Sequence, residues 1–273
     1  MPQSKGRRQR TVRARRLRVA AALTGVAIVA AALAGGFLLR GPLGGSGQPQ
    51  VRSAAIVDQL SLTFPNPDFV QQARGLLTKA GYAVDYFPGE QVSVEFYRSL
   101  PKRGYDLIVL RAHAGRIRTE GSEELSDDVT LFTAEPLTEE DLSLGRYYKE
   151  LKDQRLVAAR YFGESTEVFY GVTAGFVRSS MKGSFDGALV ILMGCDGLRS
   201  QRAGQAFLDR GAGAFVSWSE AVSAGHTDEA TLKLLEKLLV EGTPVGEAVA
   251  RTAAEVGPDP AYGAELRVLE RGG

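Results

Sequence analysis

Short unbroken apolar runs alternate along this chain with segments whose apolar residues recur every three or four positions. Ala54–Val57, Tyr82–Phe87, Tyr105–Leu110, Ala188–Met193, Ala214–Ser217 and Glu265–Leu269 read as strands. Pro67–Lys79, Val92–Leu100, Ser200–Arg210 and His226–Glu241 read as helices, and Gly81, Gly211 and Gly242 stand where three of them stop. A further helix opens at Thr243-Pro244, an N-cap residue followed by proline in the first turn. Strands that are apolar throughout belong in a sheet covered on both faces. Their alternation with helices predicts an α/β fold of three layers with a mostly parallel central sheet.

The stretch from Arg116 to Phe185 fits this rhythm least. Asp141–Lys152 reads as a helix and Glu167–Gly171 as a hairpin strand, and insertions of this kind often shape functional clefts.

The N-terminus follows a different pattern. Val19–Leu39 holds no charged side chain and only Thr24 as a polar one. At about 1.5 Å per residue it is long enough for a hydrocarbon core of roughly 30 Å. Lys5 and seven arginines precede it, and only Arg40 follows closely. That asymmetry predicts a cytoplasmic N-terminus and a main domain on the outer side of the membrane. The predicted organisation is therefore a basic N-terminus over 1–18, a transmembrane helix over 19–39, a Gly/Ser/Pro/Gln linker over 40–51 and an α/β domain over 52–273. Ala32-Leu33-Ala34 also fits a signal-peptide cleavage pattern, but the span outlasts a usual signal core.

Nine of the 33 basic residues and none of the 32 acidic ones lie in residues 1–50, so the remainder carries a net charge of −8. An acidic domain gives no reason to expect nucleic acid as a partner. The one cysteine excludes an internal disulfide. With two histidines and no clustered carboxylates, no metal or other cofactor is expected.

Two reactive residues fall where active sites of parallel sheets form, beyond the carboxyl ends of strands. His113 follows the third run and Cys195 the fourth, each with glycine close by. If those strands are neighbours, the imidazole can take the thiol proton and leave a thiolate for acyl transfer. Asp58, at the end of the first strand, and Asp196 are candidates to line a substrate pocket, with Trp218 as a cleft wall or a core filler. The plainer alternatives are a buried inert cysteine and a satisfied strand-end histidine.

Four stretches resemble the caspase-like cysteine peptidases, and among them the CHAT (separase-related) group. These are Asp106–His113, Leu131–Leu142, Ala188–Gly197 and Gly211–Gly242, and Asp259–Gly263 resembles the CHAT C-terminus. The resemblance implies a caspase-like fold acting on a protein or peptide substrate, with His113 as base and Cys195 as nucleophile. It also implies an oxyanion hole from the backbone N–H of Cys195 and one near Ala114 or Gly115. Ala114 stands between the histidine and Gly115, Met193 replaces a usual serine, and Gly197 comes one residue early. Three readings follow: a membrane-anchored cysteine peptidase, an inactive caspase-like sensor or binding module outside the membrane, and a general receptor domain in which both residues are incidental.

Overall fold

The computed structural model describes residues 51–118, 124–161 and 167–272, all within one compact unit, Gln48–Gly273. The basic N-terminus, the 19–39 span and nearly all of the linker lie outside the described residues. Among the described residues, no helix is long and apolar enough to cross a membrane.

The chain opens with β1 (Ser53–Asp58), buried from Ala54 onward. Asn66 caps α1 (Pro67–Lys79), its Oδ1 accepting the Phe69 N–H at 3.1 Å, with Pro67 and Asp68 in the first turn. After α1, Gly81 takes a φ of 86°, the left-handed turn that glycine adopts without steric penalty. Then come β2 (Ala83–Pro88), α2 (Val94–Ser99) and β3 (Leu107–Arg111). Next are β4 (Ala114–Arg118), β5 (Leu125–Pro136), α3 (Glu139–Ser143), α4 (Tyr148–Lys152), β6 (Leu156–Ala159), β7 (Phe169–Thr173) and α5 (Ala174–Ser179). The chain continues as β8 (Leu189–Leu192), α6 (Arg202–Asp209), β9 (Ala214–Trp218), α7 (Ala224–Leu239), α8 (Val245–Val256) and β10 (Leu266–Glu270).

Six strands form the central sheet in the order β10-β9-β8-β3-β1-β2. All pairs are parallel except β9 with β10. The mostly parallel α/β sheet predicted from the apolar runs is therefore present. Phe69, Ala73 and Leu77 of α1 share one core with Leu234 and Leu235 of α7 and with Ala248 and Val249 of α8. Phe96 and Tyr97 of α2, Phe176 and Val177 of α5 and Phe207 of α6 share another. Val109 belongs to the first core and its strand neighbours Ile108 and Leu110 to the second, so the two cores lie on opposite faces of the sheet. Each large apolar side chain so buried contributes about 1.5–3 kcal/mol relative to exposure.

The insertion departs from the sequence reading. Between β3 and β8 the chain builds a second, antiparallel sheet in the order β4-β5-β7-β6. Of its strands, only β7 was foreshadowed, by Glu167–Gly171. The helix read over Asp141–Lys152 is instead two short ones, broken where Gly145 (φ 69°) and Tyr147 (φ 54°) enter left-handed backbone.

The sheet order reverses between β1 and β3, because β2 lies on one side of β1 and the chain then returns to the other. Asp58 and Arg111 are register partners at the carboxyl ends of these two strands. Ligands of open α/β sheets gather at such a switch point.

Candidate active site

Pairing of β3 with β8 aligns Leu110 with Leu192, so the turns carrying His113 and Cys195 leave the same edge of the sheet side by side. Gly194 packs them together. A Cβ at Gly194 would lie 2.5 Å from the Ala112 carbonyl oxygen and 2.8 Å from the Ala114 Cβ. Only glycine lets the two backbones approach this closely. The residue after the thiol, Asp196, sits at φ 59°, so the cysteine stands at a sharp turn.

His113 is held from several sides. Its backbone N–H donates to Gln59 Oε1 at 2.9 Å, and Gln59 Nε2 donates to the Tyr161 hydroxyl at 2.7 Å. Its ring lies against those of Tyr161 (4.8 Å), Phe132 (5.8 Å) and Phe64 (5.9 Å). Nε2 lies 2.7 Å from Thr63 Oγ1, whose own hydrogen is directed to the Leu60 carbonyl at 3.5 Å. Nε2 thus faces the Thr63 hydroxyl, and in the tautomer that carries its hydrogen on Nε2 the other nitrogen, Nδ1, keeps a free lone pair. Among the described residues no hydrogen bond reaches Nδ1. Burial, aided by the Arg111 charge, lowers the His113 pKa from 6.5 to about 4, so the ring is neutral at pH 7.

The thiol is engaged elsewhere. Cys195 Sγ accepts from the Val222 N–H at 3.4 Å and faces the Val222 carbonyl at 3.8 Å. Among the described residues no hydrogen bond joins Sγ to His113. Burial, reinforced by the Asp196 and Asp259 charges, raises the thiol pKa above its ordinary value of 9.0. The resting pair is thus thiol and neutral imidazole, not thiolate and imidazolium.

Ladder parity sets which backbone N–H groups after His113 are taken up by β5. Phe132 N–H donates to the His113 carbonyl at 2.9 Å, and antiparallel pairs alternate between bonded and non-bonded. Gly115 stands opposite Thr130, two residues on, at the position where its N–H is spent on β5. Ala114, opposite Leu131, turns its N–H away from β5, and a Cβ on Gly194 would lie 3.1 Å from that nitrogen. By this parity the Ala114 N–H, and not that of Gly115, is left without a partner on β5.

The three expected pocket residues land differently. Trp218 is a correction: at 1% exposure, with Nε1 donating to Thr227 Oγ1 at 2.8 Å, it fills the core under α7 and walls no cleft. Asp58 is 1% exposed, accepts from Arg111 Nη1 at 2.7 Å and takes the Tyr86 hydroxyl at 3.2 Å, so its charge is already matched. A cavity of about 490 Å³ between Asp58, Asn66, Val70, Arg74 and Tyr86 lies beside it. Asp196, 8% exposed, is 3.7 Å from Arg199, its N–H bound to the Glu220 carbonyl.

Comparison of the sequence with family models and with curated proteins finds no match. The local geometry has to carry the functional argument.

Sequence reasoning missed Thr63, Gln59, Tyr161 and Arg111. Thr63 and Gln59 fall in a 3-10 turn and the loop after β1, where no periodicity marks them. Arg111 left a signal: a cation ending a fully apolar strand must find buried partners. It finds Asp58 and both oxygens of Asp228, at 2.7 and 2.9 Å, and its Nη2 also donates to the Phe64 carbonyl at 2.9 Å. Among the described residues no cluster of three or more histidine, cysteine, aspartate or glutamate side chains could hold a metal ion.

Proposed function

We propose that the domain is a caspase-like cysteine hydrolase of peptide bonds, with Cys195 as nucleophile and His113 as general base. The observation that carries this reading is the seating of the Gly194–Cys195 turn against Ala112–Ala114 while Thr63 occupies Nε2 and Nδ1 stays open. A base whose far nitrogen is fixed by a third group is the arrangement that activates a thiol or hydroxyl nucleophile. The strand adjacency that the caspase-like resemblance requires is also met.

In this mechanism Nδ1 takes the thiol proton as sulfur attacks the carbonyl carbon, since a preformed ion pair is disfavoured by both pKa shifts. The Ala114 and Cys195 N–H groups hold the developing oxyanion. The C–N bond then breaks, the amine leaves with the proton from His113, and water hydrolyses the thioester to restore the thiol.

A second reading, a caspase-like binding module without turnover, is favoured by the engagement of Sγ with Val222 in place of His113. A peptidyl electrophile separates the two. Covalent labelling of the wild type but not of Cys195→Ala supports the hydrolase, and labelling of neither supports the module.

We further propose that residues 19–39 tether this domain to the outer side of a membrane, supported by the uncharged span and its basic flank. Loss of membrane sedimentation at alkaline pH on deleting 1–40 is the expected result.

A further inference from the structure

We infer that the site, on the cysteine-hydrolase reading above, selects a peptide whose side chain beside His113 is uncharged and apolar. The two charges nearest the imidazole, Asp58 and Arg111, are already spent. Asp58 is buried on Arg111, and Arg111 divides its nitrogens among Asp58, Asp228 and the Phe64 carbonyl. Neither presents an unmatched charge to a substrate, and desolvating an unmatched one against them would be costly.

On the cysteine side Asp259 is buried and accepts the Ser223, Ala261 and Tyr262 N–H groups, and the neighbouring surface charges are paired. Arg199 lies 3.7 Å from Asp196 and is bonded to Glu220, while Arg116 lies 3.8 Å from Asp127.

What faces outward beside the imidazole is hydrocarbon. Phe64, on the loop that carries Thr63, is 54% exposed. Phe64 packs on one side of the imidazole, and Tyr161, stacked on Phe132 at 5.2 Å, packs on another. Arg111 fixes the Phe64 carbonyl at 2.9 Å, so the exposed ring sits on an anchored backbone. An aromatic side chain held half in water next to a base offers area that an apolar substrate side chain can cover. Discrimination against charged residues then follows from the matched charges of Asp58 and Arg111 beside the imidazole, and preference among apolar ones from the area buried on Phe64.

The test uses the full chain and four peptidyl acyloxymethyl ketones of sequence acetyl-Ala-Ala-X, with X being Leu, Phe, Lys or Asp. Intact mass reads the rate of Cys195 labelling, and iodoacetamide reports the thiol independently. The Leu and Phe probes are expected to label about tenfold faster than the Lys and Asp probes. Phe64→Ala is expected to erase most of that gap. Equal or faster labelling by Lys or Asp overturns the specificity and leaves the nucleophile standing. Alkylation by iodoacetamide with no labelling by any peptide probe removes the hydrolase reading and the specificity with it.

Discussion

The Oγ1 of Thr63 sits 2.7 Å from Nε2 of His113. The contact spans the switch point of the sheet, joining the loop after β1 to the turn after β3. Arg111 secures it from below, because its guanidinium holds the Phe64 carbonyl next to Thr63 as well as Asp58 and Asp228.

Replacing Thr63 by valine keeps the shape and removes the hydroxyl, so the imidazole loses its fixed orientation and its preferred tautomer. Labelling of Cys195 by an apolar peptidyl ketone is expected to slow by roughly tenfold to a hundredfold, within the range of general base catalysis. Thermal stability should change by about 1 kcal/mol or less, the net worth of one hydrogen bond. Parallel rate and melting measurements separate the two effects.

Arg111→Met leaves Asp58 and Asp228 facing each other without their cation, and Arg111 is only 1% exposed. Urea unfolding is expected to report a loss of about 3–5 kcal/mol. Adding Asp58→Asn in the same chain should recover part of it, because one of the stranded charges is removed.

The pKa of His113 makes stability depend on pH in a defined direction. Between 6.5 and about 4 the unfolded chain holds a proton on this ring that the folded chain lacks. Stability is therefore fully present above pH 6.5 and falls as the pH drops toward 4. The contribution is at most about 3 kcal/mol. His113→Gln should flatten this part of a urea-midpoint-against-pH curve.

Gly194→Ala would drive a methyl group into the Ala112 carbonyl, a backbone atom with no room to retreat. A loss of about 1–3 kcal/mol is expected from the overpacking, together with loss of peptide-probe labelling as the two turns move apart. Gly225→Ala, where nothing lies within 4 Å of the added atom, is the control.

Trp218 is the sole tryptophan and is 1% exposed. The emission of the native chain should be blue-shifted and resist acrylamide quenching, and adding an apolar peptide should leave it unchanged. A ligand-induced shift would restore Trp218 to the binding site.

The central sheet was legible because its strands are apolar on both faces, a pattern shared by Ala54–Val57 and Leu107–Leu110. The edge that holds His113 and Cys195 followed from their places after two such strands. The second sheet was not legible. Its strand β4 carries Gly115, Arg116 and Arg118, and β5 begins with Leu125-Ser126-Asp127-Asp128, so neither shows clean alternation. Those polar positions find their partners across the insertion, as when Arg116 Nε donates to the Ser126 carbonyl at 3.0 Å. Thr63 and Gln59 were hidden for another reason. Their importance lies in what they touch across the fold, which no local spacing encodes. Trp218 misled because a large ring after a strand serves a cleft and a core equally well.

Placing the whole antiparallel sheet between β3 and β8 also sets when the site can exist. A chain growing from its N-terminus makes His113 first and meets Cys195 only after that entire insertion has been synthesised. The β3–β8 pairing then has to close a long loop, a step of high contact order and correspondingly slow. On the hydrolase reading, the thiol has no base beside it until this pairing closes, so activity depends on the completed sheet.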